Sequence, residues 1–167
     1  MQRFLKVESG ESRLVVLLFA EIFLLGIGFN FIETSVFPLF LSEFDAGTLP
    51  YLYIINAVVV SLLTGLYLRL GRRLSFTRQL LVLHLFLALL PLGFWLAVTF
   101  GGRAAVFALP VLFQIVVSMG QIGFWTMTGR LLNLRQSKRL LGVIGSGLWV
   151  AIVLTGLALL FFLGEWR

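Results

Sequence analysis

Gln114, Ser118, Gln121 and Trp125 recur at i, i+4, i+7 and i+11 inside an otherwise apolar run. On an α-helix that spacing lines them up along one narrow face. Two amides, a hydroxyl and an indole offer hydrogen-bond donors and acceptors without charge. They suit contact with a polar solute. They suit equally well a role as glue between membrane helices, where a hydrogen bond is worth about 0.6 kcal/mol. A second set, Glu21, Asn30, Glu33 and Thr34, stands in the first apolar run. Asn30, Glu33 and Thr34 fall within roughly 60° to 100° of one another around a helix, and Glu21 falls on the side opposite Asn30. A carboxyl group in such a place can exchange a proton and couple an ion gradient. The alternative is a carboxylate hydrogen-bonded to a neighbouring helix or solvated near a membrane face. His84, the single histidine, is expected to make an interhelical hydrogen bond, with a proton relay as its other possible role.

Other chemistries find no residues. There is no cysteine and no second histidine, so thiolate and zinc sites cannot be assembled. Asp45 is the only aspartate, and no Ser-His-acid set can be built. Gly142-x-x-Gly145-x-Gly147 has neither the preceding strand nor the Lys-Ser/Thr ending of a phosphate loop. It reads as small-residue helix packing, continued by Ala151 and Thr155 at spacings of four from Gly147. The expectation is a protein without enzymatic activity, cofactor or metal.

The elements that hold these residues are long apolar segments. The chain has 167 residues, 60% hydrophobic and 12% charged, with mean hydropathy +1.06. Soluble domains carry about a quarter charged residues, so the fold class is all-α integral membrane. Five spans are expected, at about 14–41, 50–70, 79–100, 104–128 and 140–163, after a cytoplasmic segment 1–13 read as solvated. The first span is long enough to tilt, or to bend near Pro38.

The net charge of +6 is concentrated in short connections. Arg3, Lys6 and Arg13 precede span one; Arg69, Arg72, Arg73 and Arg78 follow span two; Arg130, Arg135, Lys138 and Arg139 follow span four. Only Arg103 and Arg167 fall on the other side. The positive-inside rule then puts the N-terminus in the cytoplasm and the C-terminus outside, in the cell (inner) membrane. The same distribution assigns the basic residues to topology, with the lipid bilayer as partner and no nucleic acid.

Phe124-Trp125, Arg135-Gln136-x-Lys138-Arg139 and Gly142-x-x-Gly145-x-Gly147 resemble the junction of the fourth and fifth spans in the ATP:ADP antiporter family, a distant branch of the major facilitator transporters. Leu66, Arg69, Gly71, Arg72 and Arg73 resemble the major facilitator signature between spans two and three. Leu68 stands at that signature's usual acidic position and Thr64 at its first glycine. The resemblance implies five spans like the first five of a major facilitator amino-terminal half, with alternating access around a cavity built from spans one and four. It also implies a missing complement: a second transporter half, further C-terminal sequence, or a homo-oligomer. Nucleotide exchangers would hold phosphates with basic residues inside the spans, and this chain has no Lys or Arg deep in any expected span. The expected function is therefore solute transport, of a nucleotide or another small solute. The alternatives are a structural membrane subunit that packs through its glycine faces and, more remotely, a small membrane enzyme.

Overall fold

A computed structural model describes residues 8, 10–71 and 73–164. The segment 1–7 with Arg3 and Lys6, the loop residue Arg72, and Arg167 lie outside the described residues. The rest is helical: α1 (Ser12–Glu43), a 3₁₀ turn (Ala46–Thr48), α2 (Leu49–Gly71), α3 (Phe76–Phe100), α4 (Gly102–Leu131) and α5 (Leu134–Gly164). All five α-helices are long and apolar enough to cross a bilayer. In hydrocarbon a backbone group has no water to bond, and a helix satisfies its own N–H and C=O groups internally. This is a multi-pass membrane protein.

The connections are short and locally determined. Asp45 caps the 3₁₀ turn, its side chain accepting from the Gly47 N–H at 2.9 Å. Between α3 and α4 only Gly101 intervenes, and Gly102 takes φ +57°, the left-handed conformation that lets one helix stop and the next start at once. Pro50 lies in the first turn of α2, where its missing N–H costs nothing.

The largest departure from the expected boundaries is at α5, which begins at Leu134 instead of 140. Arg135, Lys138 and Arg139, read from sequence as a loop, are in its first two turns. Asn133 and Gln136 cause this with a reciprocal cap. The Gln136 N–H donates to Asn133 Oδ1 at 2.9 Å, and the Asn133 N–H donates to Gln136 Oε1 at 3.0 Å.

Two compact units divide the chain, residues 1–31 with 124–167 and residues 32–123, so α1 and α4 each contribute to both. In the first unit Val15, Leu18 and Ile22 of α1 pack with Phe124, Leu132, Leu140 and Ile144. Above them α5 presents Gly147, Ala151 and Thr155 to α1 at one-turn intervals. A Cβ on Gly147 would lie 2.9 Å from Ile22 Cγ2 and 3.0 Å from the Phe19 carbonyl oxygen. One on Gly26 would lie 2.8 Å from Ala151 Cβ. The helices approach this closely because neither glycine has a side chain there.

In the second unit Tyr67, Leu83, Ile115 and Met119 form the core of α2, α3 and α4. Phe37, Phe40 and Phe44 of the α1 end meet Phe107 and Phe113 of α4, with Phe40 fully buried. Arg103 Nη2 donates to the Glu43 carbonyl at 3.0 Å while its guanidinium lies 5.0 Å over the Phe44 ring. That cation holds the start of α4 against the end of α1.

Candidate functional site

In the second unit, an open groove of about 380 Å³ runs along α2 and is lined by Tyr53, Asn56, Ala57, Val60 and Ser61 of that helix with Gln114 of α4. Ser61 and Gln114 each stand twelve residues into their helices, about 18 Å at 1.5 Å per residue, which is close to the middle of α2 and within about one turn of the middle of α4. Gln114 Nε2 donates to Ser118 Oγ at 3.3 Å, one turn along its own helix. Asn56 is only 8% exposed, and its Oδ1, buried away from the groove surface, has no hydrogen-bond partner among the described residues. Buried carbonyls are ordinarily paired, so an unpaired one is unusual. Among the described residues, every polar side chain on the groove wall is an amide, a hydroxyl or a phenol.

The sequence reading named Gln114 and Ser118 but neither Asn56 nor Ser61. The signal was there: an asparagine inside an apolar span is expensive and demands an account. The rest of the span-four stripe goes elsewhere. Gln121 is half-buried and does not line this groove, and Trp125 belongs to the first unit. The Trp125 ring is set edge-on to Phe124, with centroids 5.0 Å apart, and a Cβ on Gly145 would touch it at 3.4 Å.

Of the α1 residues, none lines the groove. Asn30 is committed to α5, donating to Thr155 Oγ1 at 2.8 Å and to the Ile152 carbonyl at 3.3 Å. The Thr155 hydroxyl in turn donates to the Ala151 carbonyl. Glu21 is half-buried, and Glu33 and Thr34 are exposed. His84 departs from expectation: it is exposed, and its Nδ1 pairs with the Leu80 carbonyl of its own helix at 2.8 Å instead of reaching another. The bond within its own helix satisfies that one ring nitrogen.

Among the glycines read as packing residues, Gly145 and Gly147 have close neighbours, and Gly142 has none within 4 Å. At the other basic motif Arg69 closes α2, Arg73 lies in the turn, and Gly71 is covered by the side chain of buried Gln79, whose Nε2 donates to the Tyr67 carbonyl at 3.5 Å. A side chain on Gly71 would displace that amide, since its Cβ would lie 2.6 Å from Gln79 Nε2.

The basic start of α5 is not simply solvated. Arg139 pairs with Glu8 and, at 2.6 Å, with Glu11, and Gln136 Nε2 donates to Glu11 Oε1 at 3.0 Å. Glu8 and Glu11, read from sequence as part of a solvated start, are therefore tied to α5. Glu11 is held below the ordinary carboxylate range, first by the Glu8 backbone N–H, then by Gln136 and by the Arg139 guanidinium, against the opposing effect of burial. Arg135 and Lys138 are exposed.

Five spans and a polar groove part-way across two of them define the class: a multi-pass membrane protein. Comparison of the chain with protein-family models, curated proteins and solved structures gave no match.

Proposed function

We propose that this chain is the membrane-embedded part of a solute transporter, of the major facilitator type that its span-four/span-five junction resembles. The observation that carries the proposal is the α2–α4 groove, which groups uncharged polar residues near the middle of two apolar helices, and secondary transporters hold their substrates near the bilayer midplane. Such groups are costly in lipid and are expected to face protein or a water-filled cavity. On this reading the substrate contacts lie on α2 and α4, whereas the family resemblance alone implied spans one and four. Tyr53 and Ser61 are exposed at the groove, so further spans are expected to cover it, from a second transporter half, additional chain or a second copy.

The rival reading, a structural subunit docking through its glycine faces, is weakened by where those faces go. Gly26, Gly145 and Gly147 are occupied by contacts within the first unit, and the helix-interior glycines with open space, Gly28, Gly65, Gly93, Gly129, Gly142 and Gly156, are spread over all five helices. Nucleotide transport in particular receives no support from the groove, because among the described residues no Lys or Arg lines it to meet a phosphate.

The absence of native cysteine makes the test direct. In membranes, Gln114→Cys is expected to react with a small polar thiol reagent at least about tenfold faster than Val116→Cys, which is 7% exposed, since only a water-filled groove admits the reagent. Equal labelling along the helix would remove the groove from consideration as a solute site. The same background checks orientation. Lys138→Cys is expected to be shielded from an impermeant reagent in intact cells, and labelling from outside would invert the proposed topology.

A further inference from the structure

We propose that the start of α5 binds an anionic phospholipid, with Arg135 and Lys138 on its headgroup phosphate and the bare helix surface at Gly142 and Gly145 against its acyl chain. This goes beyond the transporter reading and does not depend on it. The first observation is charge. Arg135 and Lys138 are exposed, and the ion pairs among the described residues belong to their neighbour Arg139, which engages both Glu8 and Glu11. Two cations one turn apart are thereby left open to an anion from outside the chain. From Leu141 to Leu163 the helix carries no charge, a length of about 33 Å at 1.5 Å per residue, enough to cross hydrocarbon about 30 Å thick. Arg135 and Lys138 therefore stand at headgroup level, where cations attract anionic lipid. A zwitterionic headgroup carries its own ammonium beside the phosphate, and two cations repel it.

The second observation is the surface beside those cations. On an α-helix Arg135, Lys138, Gly142 and Gly145 fall within about 80° of one another. That side of α5 is away from α1, which packs on Gly147 and Ala151. A Cβ on Gly142 would meet nothing within 4 Å, and one on Gly145 would meet only the Trp125 ring, at 3.4 Å. Trp125 is exposed at the edge of this bare strip, and the exposed Trp149 continues it one turn beyond Gly145. An acyl chain can lie close to backbone where side chains are missing, for the reason that small residues let helices approach. The indole rings add apolar surface along it. The basic connection between α2 and α3 provides the contrast. Arg69 and Arg73 are exposed there too, but Gly71 is covered by the Gln79 side chain, so no bare strip adjoins them.

The test uses the full 167-residue chain in mild detergent, given equimolar phosphatidylglycerol and phosphatidylcholine with the same acyl chains. Native mass spectrometry reads which lipid stays bound. Phosphatidylglycerol is expected to be retained in preference to phosphatidylcholine. Combining Arg135→Gln with Lys138→Gln is expected to weaken its binding roughly thirtyfold, about fivefold for each charge near an anionic surface. Should the double variant fail to fold, each single change is expected to show its own fivefold share. Arg69→Gln with Arg73→Gln removes the same charge from the other connection and is expected to leave binding unchanged. Gly142→Leu fills the bare strip without altering charge, and open space around it keeps the fold. Loss of retention is expected there, with the unfolding temperature no lower than that of the native chain.

Equal retention of the two lipids overturns the proposal. An equal loss from the Arg69 and Arg73 changes would show attraction by net charge alone and overturn the site at α5. Retention that ignores Gly142→Leu overturns the acyl-chain strip. Displacement of the bound phospholipid by inorganic phosphate or glycerol 3-phosphate would assign the two cations to a free phosphate, and likewise overturns the lipid as their ligand.

Discussion

Gly147→Leu is expected to destabilise the protein by about 1–3 kcal/mol, the usual range for forcing extra carbon into a closed packing site. One of the atoms a new Cβ meets, the Phe19 carbonyl oxygen at 3.0 Å, is backbone and cannot rotate aside. The other, Ile22 Cγ2 at 2.9 Å, belongs to a side chain that is 1% exposed and has nowhere to move. Gly26→Leu should behave in the same way, meeting Ala151 Cβ at 2.8 Å and the Leu148 carbonyl oxygen at 3.2 Å. Both changes would push α1 from α5 and lengthen the Asn30–Thr155 hydrogen bond one turn further along. Gly142→Ala provides the contrast. Nothing lies within 4 Å of its Cβ, and alanine is better than glycine inside a helix by about 1 kcal/mol, so it should be neutral or stabilising. Thermal unfolding in mild detergent separates the cases. If Gly147→Leu melts with the native chain, the α1–α5 contact described here is wrong.

The second large effect is expected at the basic start of α5. Removing the guanidinium in Arg139→Gln eliminates the ion pairs to Glu8 and Glu11, and amide exchange in residues 8–11 should rise roughly tenfold, as for loss of one charge-assisted hydrogen bond. Acid should produce the same release. The Glu11 carboxyl is held below its ordinary value of 4.5, so its contribution is fully present above that value. It is lost as pH falls through the lower folded value, where the carboxylate takes up a proton and ceases to accept from Arg139 and Gln136. Tethering should therefore be flat at neutral pH and fail only in acid, and Arg139→Gln should reduce that acid response without removing it, because the Glu8 backbone N–H and Gln136 still favour the Glu11 carboxylate. Lys138→Gln, which removes an exposed charge from the same turn, should leave exchange unchanged. Hydrogen exchange followed by mass spectrometry reads all three. Exchange in residues 8–11 that ignores both Arg139→Gln and acidification to about pH 3 would show that the clamp does not hold the segment.

How much of this was legible beforehand follows the range of the interactions involved. Five apolar runs of bilayer length determine five helices, because hydrocarbon leaves the backbone no other way to bond. The small-residue spacing Gly147, Ala151, Thr155 announced a face of α5 suited to close approach, and that face lies on α1. The start of α5 is written in Asn133 and Gln136 three residues apart, a reciprocal cap that overlaps the basic cluster.

What the chain alone did not determine was which polar residues meet. Asn30 and Thr155 are 125 residues apart, and helical periodicity assigns each a face without naming the face opposite. By spacing, Gln114 and Trp125 belong to one stripe. Tertiary packing gives the first to a groove with α2 and the second to Gly145 on α5, because a helix of 30 residues is long enough to serve two compact units. Asn56 shows the same limit most clearly. Sequence marks it as an amide in an apolar span, and only its surroundings decide whether its carbonyl is satisfied or left open. Hydropathy and periodicity are sums over neighbours along the chain, whereas pairing depends on which helix stands across the gap. That is decided by shape, through contacts as short as the 2.8 Å and 2.9 Å approaches at Gly26 and Gly147.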